Sequence, residues 1–204
     1  MTTIRSAVLA SGNTGKLREL RELLKGQIRL IDMRELGLAA AEETGSSFEE
    51  NARLKAVAAA AQCGLPALGD DSGLEVDALC GAPGIYSSRY AGDDGDARAN
   101  IRKLLKSLDG VPAANRNARF RCVLVLATPD NEQAPLIAEG VWEGRIARKA
   151  KGRGGFGYDP VFLDGRTGKR AALMSPAEKG LRSHRGLAAR ELLQLLGTQG
   201  AGAG

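Results

Sequence analysis

An α/β fold with a long mixed β-sheet is what this sequence predicts, on three observations. Short apolar runs such as Ala7-Val8-Leu9-Ala10 alternate with stretches whose leucines recur at helical spacing. The opening runs strand, helix, strand, a unit whose two strands lie parallel in one sheet. The later segments 120–127 and 137–146 read as long antiparallel strands. No repeat or internal linker divides the 204 residues. They are expected to form one domain, residues 1–204, bent into two lobes, with a flexible tail over about 197–204.

Each element has a local reason. Residues 7–10 are a buried strand; Ser11-Gly12-Asn13-Thr14-Gly15-Lys16 turns the chain, and Leu17, Leu20, Leu23 and Leu24 mark a helix. Residues 28–31 give the second strand. Thr44-Gly45-Ser46-Ser47 offers caps to a helix with Glu49 and Glu50 in its first turn, and Cys63-Gly64-Leu65-Pro66 stops it. Strands near 67–68 and 74–79 flank an acidic turn, Gly69-Asp70-Asp71-Ser72-Gly73. A loop at 81–84 precedes a helix over 97–108 and then the two long strands. Lys151 to Gly157 forms a glycine-rich loop, and 160–163 a short strand. A short helix begins at Ser175, and an amphipathic helix covers 183–196.

Composition narrows the function classes. With 43% hydrophobic and 26% charged residues, the chain has ordinary globular usage. No apolar run approaches the roughly 18 residues of a membrane span, and the start enters a strand without the apolar core of a signal peptide. No membrane partner is expected. Cys63, Cys80 and Cys122 are isolated and lack metal-ligand spacing, so reduced thiols in the cytoplasm are the simplest account. A net charge of +5 suits an anionic partner. The basic residues read as dispersed and aromatics are few, which argues against nucleic acid as that partner.

Four constellations could carry chemistry. Adjacent Asp70 and Asp71 repel each other if buried, and a divalent cation would offset that cost; acidic oxygen sites suit Mg²⁺, with Mn²⁺ as a substitute. A solvated acidic turn is the alternative. Glu50, on the preceding helix, is the best second-element carboxylate for such a metal, or else part of a solvated face. The turn from Ser11 to Lys16 places backbone donors, Asn13 and Lys16 at a helix start, where phosphate binds well, although it lacks Walker A spacing and an ordinary turn would look the same. In Gly152-Arg153-Gly154-Gly155-Phe156-Gly157-Tyr158-Asp159-Pro160, close-approaching backbone could expose Phe156 to a base and aim Asp159 at a ligand; the alternative is a bulged hairpin with Phe156 in the core. His184 and Arg185 begin the last helix, where the dipole disfavours cations, a placement that suggests an anionic or carbonyl-bearing ligand; a single helical histidine that hydrogen-bonds structurally is the alternative.

Together with Phe48-x-Glu50-Asn51-Ala52, Pro83-Gly84-x-Tyr86-Ser87-x-Arg89-Tyr90 and Ser183-His184-Arg185-Gly186, these motifs resemble, in order from Ala7 to about Leu195, the inosine triphosphate pyrophosphatase family. The resemblance implies two α/β lobes around a central substrate cleft, usually in a homodimer, and hydrolysis of dITP, ITP and XTP to monophosphate and pyrophosphate. It implies that Ser11, Gly12, Asn13, Thr14, Gly15 and Lys16 hold the triphosphate. Glu50 and Asp71 match the magnesium positions, Asp71 also the general base, and Ser72 a substrate contact. Phe156, Gly157, Tyr158 and Asp159 would stack on and read the base, with Lys179, His184 and Arg185. Leu173 stands where related sequences usually carry a glutamate, and Arg182 where an apolar residue is common. A nucleotide sensor and a phosphatase releasing orthophosphate are the rival classes.

Overall fold

A computed structural model describes residues 4–92, 95–131 and 134–201. Its sheet has six strands, β1 (Ser6–Leu9), β2 (Arg29–Asp32), β3 (Ala67–Val76), β4 (Asn117–Ala127), β5 (Leu136–Ile146) and β6 (Phe162–Asp164), in the order β2-β1-β3-β4-β5-β6. β1 pairs parallel with both β2 and β3, whereas β5 and β6 are antiparallel, so the sheet is mixed. Five α-helices accompany it among the described residues: α1 (Thr14–Leu23), α2 (Phe48–Cys63), α3 (Ala97–Ser107), α4 (Pro176–Arg182) and α5 (His184–Ala201). None is long and apolar enough to cross a membrane.

Two expectations need correction. The acidic turn is no turn: Asp70 and Asp71 lie mid-strand in an unbroken β3, because their charges are met by side chains from neighbouring helices rather than by water. The expected tail is helical as far as Ala201, running on from α5 without a break; Gly202, Ala203 and Gly204 lie outside the described residues.

The chain contacts divide into two compact units. The first comprises Met1–Asp71, Cys122–Gly140 and Arg185–Gly204, and the second Ser72–Arg121 and Val141–His184. In the first, Leu17, Leu20 and Leu24 bury with Leu9, Leu30, Leu124 and Leu192. This is the burial the leucine spacing of α1 demands. In the second, Phe120, Trp142 and Phe162 pack together with Leu104 and Leu108 of the α3 segment. Asn13 and Ser47 cap α1 and α2, each accepting backbone N–H bonds with its side chain, while Gly64 closes α2 at positive φ.

Candidate active site

Glycine 69 sets the geometry of the first unit. A Cβ there would lie 2.0 Å from the carbonyl oxygen of Ala52, so only a residue without a side chain lets α2 lie directly on β3. That approach brings Asn51 and Lys55, one turn apart on α2, to Asp71. Lys55 Nζ donates to Asp71 Oδ1 at 2.8 Å and to the Asp70 carbonyl at 3.1 Å; Asn51 Nδ2 donates to Asp71 Oδ2 at 3.4 Å. Glu43 Oε1 lies 2.6 Å from the same ammonium.

Asp70 faces a different set, as successive strand residues must. Its carboxylate is fully buried, with Lys16 Nζ at 2.7 Å on Oδ1 and Arg185 Nε at 2.7 Å on Oδ2. Arg185, 2% exposed, also holds Glu19 at 2.6 Å. Burial alone would raise the Asp70 pKa, but the charges of Arg185 and Lys16 overcome it and hold the carboxyl far below its ordinary range. Asp71 goes the other way. Burial dominates there and pushes its carboxyl up, against the pull of Lys55 and Lys16. Two neighbouring acids are thus given opposite characters, one a fixed counter-charge and the other a stronger base. Lys55, in turn, is drawn up by Asp71 and Glu43 despite its own burial.

The second unit holds another cluster. Gly155 sits at φ +71°, and a Cβ there would fall 1.9 Å from Asp159 Oδ2, so the loop closes on that carboxylate only through glycine. Asp159 Oδ2 accepts the Phe156 N–H at 2.9 Å and Lys179 Nζ at 2.6 Å. Lys179 comes from α4, whose start is fixed by a reciprocal Ser175–Glu178 capping box, and its ammonium lies 5.2 Å from the centroid of the half-buried Phe156 ring. The His184 ring stacks on Phe120, centroids 4.7 Å apart and planes at 14°.

Against the sequence reading, this geometry is selective. Lys16 is brought to Asp70, and Asp71 to Lys55; Phe156, Asp159 and Lys179 form one cluster. Gly12, Asn13 and Thr14 are exposed, but Asn13 Oδ1 already takes the N–H groups of Gly15 and Lys16, so those two donors are spent on the helix cap. Tyr158 is core rather than rim, its hydroxyl donating to the Ser87 carbonyl at 2.9 Å. Ser72 is half-buried on β3, and Gly157 takes positive φ in its loop. Arg185 is engaged within the protein. Its charge at a helix start is met by Asp70 and Glu19. Glu50 is exposed and accepts from the Ser46 N–H and hydroxyl, which lower its pKa and keep it ionised. Of the departures from the family pattern, Arg182 finds a counter-charge in Asp164 at 3.8 Å, and Leu173 is half-exposed. Glu19, Glu43 and Asn51 had not been singled out as site residues. The signal for Asn51 is its place in the Phe48-x-Glu50-Asn51-Ala52 motif; Glu19 and Glu43 carry no local signal.

Residues 7–195 match the model of the Ham1 family. The chain belongs to the Ham1 family. A dITP/XTP pyrophosphatase of Thioalkalivibrio sulfidiphilus is 58% identical over 93% of this chain and 97% of its own, and one of Methylococcus capsulatus is 53% identical over 94% and 96%. Among solved structures, a HAM1 protein from Coxiella burnetii superposes with a TM-score of 0.84 at 47% identity, covering 97% of this chain and 100% of that one. Fold and family thus agree with the motif reading.

Proposed function

We propose that this protein hydrolyses non-standard purine nucleoside triphosphates, dITP, ITP and XTP, to the monophosphate and pyrophosphate. Near-full-length similarity to dITP/XTP pyrophosphatases supports the substrate class. The single structural observation that carries the chemistry is the split pair on β3: a carboxylate neutralised by Lys16 and Arg185 beside one whose basicity is raised by burial.

In this reading Asp71 orients and deprotonates the water that attacks the α-phosphorus, with Asn51 and Lys55 fixing its carboxylate. Lys16, the last residue of the Ser11 to Lys16 turn, takes the charge of the departing pyrophosphate. Among the described residues no three acids, histidines or cysteines converge as a self-sufficient metal cage. Magnesium is ordinarily held by one or two carboxylates together with substrate phosphates and water, a set that Asp71 and Glu50 can supply. Bound there, Mg²⁺ or Mn²⁺ would neutralise charge developing on the phosphate oxygens. Phe156 stacks on the purine, and Asp159, Lys179 and His184 read its edge. The resemblance further suggests a cytoplasmic homodimer, which sedimentation equilibrium would test.

A nucleotide panel assayed with and without magnesium tests the proposal. Rapid, metal-dependent release of pyrophosphate from dITP and XTP, with ATP far slower, is expected. Orthophosphate as the first product would favour the phosphatase class instead.

A further inference from the structure

The positive charge of this chain is concentrated, not dispersed. Between Arg145 and Arg170 the sequence carries eight lysines and arginines against two acids, Asp159 and Asp164, a net of +6 that accounts for the entire +5 of the chain. Both acids are buried and engaged: Asp159 with Lys179, and Asp164 with the Trp142 indole N–H at 2.7 Å and the Thr167 hydroxyl. What this region turns to solvent is therefore cationic. Arg145, Arg148, Lys149, Lys151, Arg153 and Arg166 are all exposed, and none has an ion pair among the described residues.

The fold holds the backbone stretches that carry these residues together. Arg170 Nη1 donates to the carbonyls of Lys149 and Pro160, both at 2.8 Å, and the Lys151 N–H bonds the Pro160 carbonyl at 2.9 Å. Antiparallel pairing of Ile146 with Phe162 and of Gly144 with Asp164 locks the two arms side by side. An edge-strand defence against aggregation needs one or two lysines, not an unpaired set of six. The patch also lies in the same loop as Phe156, three residues from Arg153, while the neighbouring aromatics Tyr158 and Phe162 are buried. A surface for single-stranded nucleic acid would need several exposed rings for successive bases. One ring and many cations fit one base carrying many charges.

We propose that Arg148, Lys149, Lys151, Arg153 and Arg166 form an electrostatic capture surface for the polyphosphate of an incoming nucleotide. The proposal rests on the triphosphate substrate inferred above. A cationic surface raises the encounter rate of an anion without taking part in chemistry, and salt removes the advantage.

The test is stopped-flow association of ITP carrying a ribose-linked fluorophore, in magnesium buffer, with products of the same mixtures analysed after quenching. The variants are the triple Arg148→Gln/Lys149→Gln/Lys151→Gln and a control that also removes cations, Lys25→Gln/Arg29→Gln, in the turn after α1 and at the start of β2. At low salt the triple variant should associate about five- to tenfold more slowly, with its dissociation rate changed less than about twofold. The control should match the parent. At 1 M salt, where the Debye length is about 3 Å, parent and triple should converge. Equal association rates and salt slopes for parent and triple would overturn capture while leaving hydrolysis of ITP intact. Salt-dependent, patch-dependent association without pyrophosphate release would instead sink the proposed activity and keep the surface. A slowing that persists at 1 M salt would mean direct contact or misfolding, and tighter patch-dependent binding of a single-stranded oligonucleotide than of ITP would make the surface one for nucleic acid; either overturns substrate capture.

Discussion

Asp71 and Asp70 carry the sharpest expectations at the residue scale. Asp71→Asn keeps shape and removes the base, so kcat/KM for dITP should fall by about 10²–10⁴ with little change in thermal midpoint. Because Asp71 must be ionised and burial raises its pKa, parental activity should decline on the acid side from a pH above that of an ordinary aspartate. The residual activity of Asp71→Asn should lack that limb. Asp70 works in the opposite sense. An unfolded aspartate titrates near about 3.9, and the folded one lies well below, so its stabilising contribution is complete above that pH and fades as acid is added. Chemical denaturation between about pH 5 and pH 2 should therefore show falling stability in the parent and a shallower fall in Asp70→Asn. Removing Arg185 leaves Asp70 and Glu19 without their shared cation in a buried place. Arg185→Ala should cost about 3–5 kcal/mol in denaturant titration, a loss that a base-reading surface arginine would not produce. Phe156→Ala should weaken ITP, XTP and ATP alike by about 1–3 kcal/mol in competition binding, since stacking is indifferent to the base.

Glycines decide how elements approach one another. A methyl group at residue 155 would meet the Asp159 carboxylate and face a positive φ, so Gly155→Ala should raise KM for every nucleotide while the Lys55–Asp71 pair stays intact; equal KM in parent and variant would show that the loop does not shape the site. This element scale was the most legible from sequence. Leucine spacing, Ser47 and Gly64 placed α1 and α2 within a few residues, because caps and apolar periodicity are local signals. β3 was misread because Asp, Asp, Ser and Gly in succession have the chemistry of a turn, and only long-range charge partners make them a strand. The same limit hid the role of Arg185, 115 residues from Asp70 along the chain. Motif order, in contrast, identified Asp71, Lys16 and Asp159 as residues to watch without revealing that Lys16 and Lys179 each hold a carboxylate of the protein itself.

For the whole molecule, attack at the α-phosphorus has one decisive signature. Turnover of dITP in ¹⁸O-labelled water should place the label in the monophosphate, with unlabelled pyrophosphate; label in the other product would move the attack one phosphorus along. The chain as a whole is also constrained by a single strand. Asp70 and Asp71 are neighbours, yet one meets α1 and α5 while the other meets α2. Inheritance must therefore treat β3 as a reading frame. Gain or loss of one residue within the strand between Ala67 and Asp70 would present each acid to the other's partners, setting the would-be base against Arg185 and the counter-charge against Lys55. Lineages descending from this sequence can lengthen the loop before this strand, but the count of residues within it, from Ala67 to Asp71, is one they must keep.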